Sequence, residues 1–325
     1  MTLHLKRISV NYYTFKGANM FDYTQLTYSE KINDLLIYHG SQAKLSDYLE
    51  ISRQSILKWK ENDSSIKEEN KLKIDVAFCK AFGFKSIDAN EVIRVLTQLN
   101  KTDFSYFNIK EEDIVHLISK YSSFGSLEIE EADISEKKFD KVISQNNELI
   151  NDLNKREIFS INNLSSLSNK IIMDTLNNTE DVFPITTEKI RIWHFILMSG
   201  IRADAGKYST KIRIIPGSED LHLTDPRDIP EELEYWCSKY KDIETIEDIA
   251  KAHAHFEAIH PFGDGNGRLG RIIMAAQCIK IGYIPPLINK KNKALYLVFL
   301  KHAQINSEYG HLSYFLVNSI FNMHK

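Results

Sequence analysis

Two runs of apolar residues recur at helical spacing, Ile249, Ala252, Phe256 and Ile259, then Leu269, Ile272, Ile273 and Ala276. Between them lies a stretch too polar and too glycine-rich to continue either run. Residues 249–276 are thereby committed to helix, loop, helix. The remaining sequence offers little to interrupt helices: 13 glycines and seven prolines in 325 residues are about half the roughly 12% usual for soluble proteins. Helix is therefore favoured. A chain of this length buries roughly three quarters of its unfolded surface, so its core needs no disulfide or metal. Cys79, Cys237 and Cys278 are odd in number, far apart and in no CxxC spacing, which fits buried thiols in a reducing cytoplasm. The most apolar run, Ile272 to Ile281, is broken by Gln277 and Lys280, so no spanning segment, signal peptide or membrane partner is expected. The formal net charge of −3 excludes a bulk polycation, and any nucleic-acid contact must come from a local patch.

Local punctuation at Gly83 to Lys85, Asn100 to Asp103 and Asn177 to Pro184 suggests three helical regions, 1–100, 101–185 and 186–325. The loop of the third region has definite chemistry. Gly265, Asn266 and Gly267 can turn successive N–H groups to one side at a helix N-terminus, where the dipole favours an anion. Arg268 and Arg271, three apart, share a helix face and add charged donors suited to phosphate oxygens. Asp264 would repel a bare phosphate but can ligate Mg2+, or Mn2+ in its place, bridging it to a phosphate. A metal-bound polyphosphate fits better than a lone anion. His260 at the loop entrance is the group able to take a proton from an attacking hydroxyl near neutral pH. His253 and His255, further up the same helix, read as core histidines rather than metal ligands.

These residues, HPFGDGNGRLGR, satisfy the pattern HxFx(D/E)GNGRxxR at every specified position. The chain thereby resembles the Fic-domain enzymes over roughly residues 105–325. The resemblance implies an all-α Fic-type helical core and transfer of AMP from MgATP to a Ser, Thr or Tyr hydroxyl of a protein, the enzyme itself included. It implies His260 as base, Phe262 as the buried loop anchor and Asp264 as metal ligand. It further implies Gly265, Asn266 and Gly267 as the cradle for the α and β phosphates, Arg268 as a phosphate clamp and Arg271 as the contact to the γ-phosphate. Tyr296 and Gln304 align with nucleoside-side positions, Tyr296 reading equally well as core.

Tyr208 to Ile215 alternates between Gly206 and Pro216 and is expected to form a short β-hairpin. It resembles the family's flap, on which Tyr208, Thr210, Lys211, Ile212 and Arg213 would receive an extended target segment. Ser126 and Glu130 resemble the family's inhibitory motif (S/T)xxxE(G/N), in which the glutamate competes with the γ-phosphate for Arg271. Here Glu131 replaces Gly or Asn, and Glu128 is the neighbouring candidate. In some relatives that glutamate supports removal of AMP. In the first region Leu45 and Leu49, then Ile56 and Trp59, suit two short helices with a turn at Glu50 to Ser52 and Ser52 as N-cap. The pair resembles a helix-turn-helix, with Ser46 and Glu50 standing where alanine and glycine are usual, and Arg53, Gln54, Ser55 and Lys58 would face DNA. The reading from another class is therefore a DNA-binding regulator whose Fic core senses nucleotide or modifies only itself. Either reading is compatible with a homodimer.

Overall fold

The computed structural model describes residues 26–78, 81, 111–130, 134–144, 153–177, 179–215, 221–283 and 285–322. Among these, thirteen α-helices and no strand are found, so the fold is all-α as expected. The chain divides into two compact units, Met1–Val95 and Leu96–Lys325. The expected breaks at Gly83 to Lys85 and Asn100 to Asp103, and Cys79, lie outside the described residues. No helix among the described residues is long and apolar enough to cross a membrane.

The first unit contains α1 (Tyr28–His39), α2 (Gln42–Leu49), α3 (Arg53–Glu61) and α4 (Glu68–Phe78). Local signals set each end. Thr27 and Glu30 form a reciprocal capping box on α1, and Gly40 closes that helix at φ 74°, a left-handed conformation that glycine adopts without strain. The side chains of Ser41 and Ser52 accept from the third backbone N–H of α2 and α3, each such cap contributing about 1 kcal/mol. Between these two helices Glu50 takes the left-handed conformation at φ 55°. Ile32, Leu35, Leu45, Leu49, Ile56, Trp59 and Ile74 meet in the core. Lys31 is buried there but paired, its Nζ 2.7 Å from Asp75, which also accepts from Tyr28 Oη at 2.9 Å. Arg53, Gln54 and Lys58 are exposed on α3, while Ser55 is half-buried and its Oγ lies 2.8 Å from Ser52 Oγ.

The second unit has α5 (Glu111–Glu130), α6 (Glu136–Ile143), α7 (Lys155–Leu176), α8 (Thr187–Met198), α9 (Ile229–Lys239), α10 (Ile246–Ile259), α11 (Asn266–Lys280), α12 (Lys293–Asn306) and α13 (Gly310–Asn322). Helix α7 is the organising element, because its buried stripe Ile161, Leu164, Leu167, Ile171 and Ile172 packs against α5, α6, α8 and α11. Helices α10 and α11 form the predicted helix–loop–helix, sealed by Phe256, Ile259, Leu269, Ile272 and Ile273. Each such burial contributes about 1.5–3 kcal/mol. Trp236 of α9 ties to α10 by donating from Nε1 to Ala252 O at 2.8 Å. Cys278 is buried as expected, whereas Cys237 is only half-buried.

Gly125 lets α5 approach closely: a Cβ there would stand 2.5 Å from the carbonyl oxygen of Ile288. The last turn of α5 therefore lies near the start of α12, where Lys293 Nζ donates to Ile129 O at 2.6 Å.

The segment expected as a hairpin shows no strand pairing within 206–215; residues 216–220 lie outside the described residues. It is tethered at its base instead, by Ser209 N–H donating to Pro261 O at 2.9 Å. Ile212 and Ile214 are 80% and 70% exposed, and Thr210 and Lys211 are exposed as well. Arg213 differs from these neighbours. It turns inward and donates to Thr224 O and Ile259 O.

Candidate active site

The loop between α10 and α11 is held by its own residues. His260 ends α10 at φ 48° and Gly265 precedes α11 at φ 82°. A Cβ on Gly265 would meet Met198 Sδ at 2.8 Å, so glycine is required there twice over. The buried Asn266 side chain bridges the turn: its Oδ1 accepts from Phe262 N–H at 2.9 Å and its Nδ2 donates to Phe262 O at 2.8 Å. Asn266 therefore closes the loop with its side chain. Phe262 is fully buried and stacks on His194 of α8, with ring centroids 3.7 Å apart and planes within 3°.

His194 was not legible in the sequence as a site residue. Gly206 N–H donates to its Nδ1 at 2.8 Å, which fixes the neutral tautomer with the proton on Nε2. That proton goes to the carbonyl of Asp264 at 2.9 Å. Burial pushes the His194 pKa down to about 4, so the bond persists across the neutral range. Phe262 and His194 together fix both ends of the loop, which is the anchoring role expected of Phe262 alone.

Charge in the site is arranged in two tiers. Asp264, with its side chain 34% exposed, accepts from Gly265 N–H at 2.7 Å and from Arg268 Nη2 at 3.1 Å, and Arg156 of α7 lies 3.8 Å away. Arg271, only 7% exposed, donates from Nε to Ser126 Oγ at 2.8 Å and from Nη2 to Glu130 Oε1 at 2.7 Å. A Cβ on Gly267 would come within 2.7 Å of the same Glu130 oxygen. The Glu130 carboxylate thus lies against the first turn of α11, where the backbone amides and dipole favour an anion. Burial alone would raise its pKa, but the charge and hydrogen bond of Arg271, with Arg268 and Lys293, hold it below the usual carboxylate range. Glu128 turns away toward the backbone of Lys290. Of the two neighbouring glutamates, Glu130 is the one the structure brings to Arg271.

His260 is neutral at physiological pH: burial first, then the positive charge of Arg213, lower its pKa to about 4. Tyr296 is brought to this region from beneath, 1% exposed, with its hydroxyl 2.6 Å from His253 Nε2. His253 is buried and neutral, its pKa pushed to about 3 chiefly by burial. Gln304 donates from Nε2 to the carbonyl of the buried Ala254 on α10, at 3.4 Å. Glu257, one turn before His260, is a buried carboxylate that sequence reasoning passed over.

Residues 184–278 match the model of the Fic/DOC family. The chain carries a Fic domain. It is similar to the protein adenylyltransferase Fic of Drosophila grimshawi, 36% identical over 90 residues that make up 27% of this chain and 18% of that one. The corresponding protein of Drosophila erecta is 38% identical over 93 residues, 28% of this chain and 18% of that one. The matched stretch thus spans under a fifth of the length of these curated relatives. Among solved structures, Fic-1 of Caenorhabditis elegans, residues 134–508, superposes with a TM-score of 0.61 over 91% of this chain and 82% of that one, at 16% identity. A Fic-domain signalling protein of Bacteroides thetaiotaomicron gives 0.56 over 73% and 92%, at 17% identity. The Fic-type helical fold therefore extends well beyond the stretch that the sequence matches.

Proposed function

We propose that this Fic-domain chain is a protein adenylyltransferase, moving AMP from MgATP to a Ser, Thr or Tyr hydroxyl of a protein and held in check by Glu130. One observation supports this most: a neutral imidazole, His260, stands beside a helix N-terminus whose Gly267 turn already receives a carboxylate. A site that accepts one anion there can accept the phosphate chain that displaces it. His260 takes the hydroxyl proton as the oxygen attacks the α-phosphorus. The bond from that phosphorus to the bridging oxygen breaks, and pyrophosphate leaves. Asn266 and Gly267 offer backbone N–H groups, the Gly265 N–H being engaged by Asp264, while Arg268 and Arg271 neutralise the chain, and Glu130 must leave Arg271 first.

Asp264 fits a divalent cation of the Mg2+ or Mn2+ type. It is a single, partly open oxygen donor at the edge of the anion site, and Mg2+ uses one or two carboxylates together with substrate phosphates. Such an ion would offset charge on the departing pyrophosphate. Among the described residues no cluster of three or more acidic, histidine or cysteine ligands exists, so the phosphates would complete the coordination. Thr210, Lys211 and Ile212 supply an exposed stretch for an extended protein segment, with Tyr208 half-buried at its base beside Phe262. Arg213 supports the loop end near His260 rather than the target.

Mass spectrometry decides the reading: the Glu130→Gly protein, incubated with isotopic ATP and a cell lysate, is expected to leave AMP adducts on itself and on foreign proteins. None should form when His260 is also alanine. Adducts independent of His260 would refute the assignment. The exposed Arg53, Gln54 and Lys58 on α3 support the second reading, a DNA-binding regulator. That reading expects sequence-specific binding that weakens with salt and is indifferent to His260→Ala.

A further inference from the structure

Glu257 belongs to no role given so far. It sits on α10, 5% exposed, and its Oε1 has no hydrogen-bond partner in the structure. Leaving a buried carboxylate without a partner is expensive unless it is protonated or has a cation nearby. Both conditions bear on this one. Its Oε1 lies so close against α11 that a Cβ built on Gly270 would collide with it, and the next residue is Arg271. The Arg271 charge draws the carboxyl toward ionisation. Burial opposes this more strongly, with a smaller contribution from the Glu130 carboxylate, and raises its pKa to about 7.

We propose, resting on the adenylyltransferase reading, that Glu257 is a positioning residue for Arg271 that exchanges a proton for an anion. It shares the guanidinium charge when the outer side of Arg271 is empty, and it takes up a proton when Glu130 or the terminal phosphate of the nucleotide docks there.

The neighbours leave Glu257 as the group that titrates near neutrality. On α10 itself, His253 and His260 have pKa values of about 3 and about 4, below that window. On α11, Arg271 stays charged throughout. Glu130 of α5 is held below the usual carboxylate range, and burial pushes Tyr296 of α12 above the usual phenol range. The sign follows from linkage. A docked anion at Arg271 raises the Glu257 pKa, so docking takes up protons and strengthens as pH falls through the neutral range. Removing Glu130 lowers the Glu257 pKa in the free protein and widens the change on nucleotide binding.

The experiment uses the Glu130→Gly chain, with and without Glu257→Gln, and the magnesium complex of α,β-methylene-ATP, which cannot transfer AMP. Calorimetry in buffers of different ionisation enthalpy should show fractional proton uptake by the Glu130→Gly protein. Its dissociation constant should rise between pH 6 and 8 by no more than about tenfold per pH unit, the limit for one proton. Titration of the nucleotide's own phosphate is common to both proteins and cancels in the comparison. The Glu257→Gln protein should lose the uptake and the slope. Equal uptake in both proteins overturns the proposal while leaving the adenylyltransferase reading intact; failure of the Glu130→Gly protein to bind the analogue removes both. Should the glutamine variant not fold, 13C NMR of the Glu257 carboxyl in the Glu130→Gly protein decides. Its titration must move to higher pH when the analogue binds, and an unmoved midpoint overturns the proposal.

Discussion

Two helix–turn–helix corners in this chain use the same backbone device for different ends. At the corner between α2 and α3, Glu50 closes the first helix at φ 55°; at the corner between α10 and α11, His260 does so at φ 48°. Neither is glycine, and an L-residue held in that conformation is disfavoured by roughly 1–2 kcal/mol. The Glu50 side chain is 83% exposed and lies 3.7 Å from the ammonium of Lys73. The His260 ring is drawn into a site where Arg268 and Arg271 are nearly buried. In the first corner the strain serves shape alone. In the second it aims an imidazole, and the polar groups around it are desolvated enough for charge to act strongly.

The largest effect expected from breaking that contrast is at His260. Its replacement by alanine should lower AMP transfer by about 10²–10⁴-fold, the usual range for general-base catalysis. Binding of the nucleotide should persist, because the nest and the arginines remain. The free protein's transfer should fall only as pH approaches about 4, rather than near the ordinary histidine value, since the protonated ring cannot accept the hydroxyl proton. Label transfer from α-labelled ATP measured against pH checks both statements. An unchanged rate in the alanine variant dissolves the distinction between the two corners.

Glu130→Gly sharpens it next. The carboxylate holds Arg271 through a short ion pair next to the Gly267 turn, so its loss frees both the guanidinium and the nest. Self-modification should rise on the order of 5- to 150-fold, the range of ordinary coupling between two ligands competing for one state. Gel quantification of AMP on the chain gives the ratio, and a flat response removes the self-restraint.

How much of this was legible before folding depends on whether the chemistry is local. The loop could be read because Gly265 at positive φ, the helix N-terminus and the two arginines are neighbours in sequence. The pairing of Glu130 with Arg271 spans 141 residues, and it was reached through the resemblance of Ser126 and Glu130 to an inhibitory motif. His194 lies 70 residues from the loop carbonyl it holds, and no local pattern marks it. Glu257 on an amphipathic helix reads as a solvated side chain until α11 is laid against it. The hairpin expected at Tyr208 to Ile215 rested on alternation between Gly206 and Pro216 and on the likeness to a flap. Alternation does not say that Arg213 will be claimed by the carbonyls of Thr224 and Ile259.

Asn266 probes how firmly the second corner is held. Its two side-chain bonds to the Phe262 backbone are buried, and alanine would leave that N–H and carbonyl without partners. A loss of about 1–3 kcal/mol per unsatisfied group is expected. At roughly 2–4 °C per kcal/mol for a unit of this size, calorimetry should show the second unit melting several degrees lower. An unshifted melting temperature would mean that the His194–Phe262 stack alone fixes the loop.

The smallest effect belongs to the first corner. Glu50→Gly relieves roughly 1–2 kcal/mol of left-handed strain but adds about 0.5–1 kcal/mol of backbone freedom to the unfolded chain. The surface pair with Lys73 that is lost is worth little. The net gain is therefore about 0–1.5 kcal/mol, which at the middle of that range slows hydrogen exchange at the buried amides of α2 and α3 by roughly threefold. The same exchange at position 260 would relieve comparable strain and remove the imidazole with it. Slower exchange after Glu50→Gly places Glu50 where sequence and backbone disagree without chemical gain. Faster exchange would mean that the Glu50 side chain holds the corner through contacts stronger than its strain, and the two corners would then be alike.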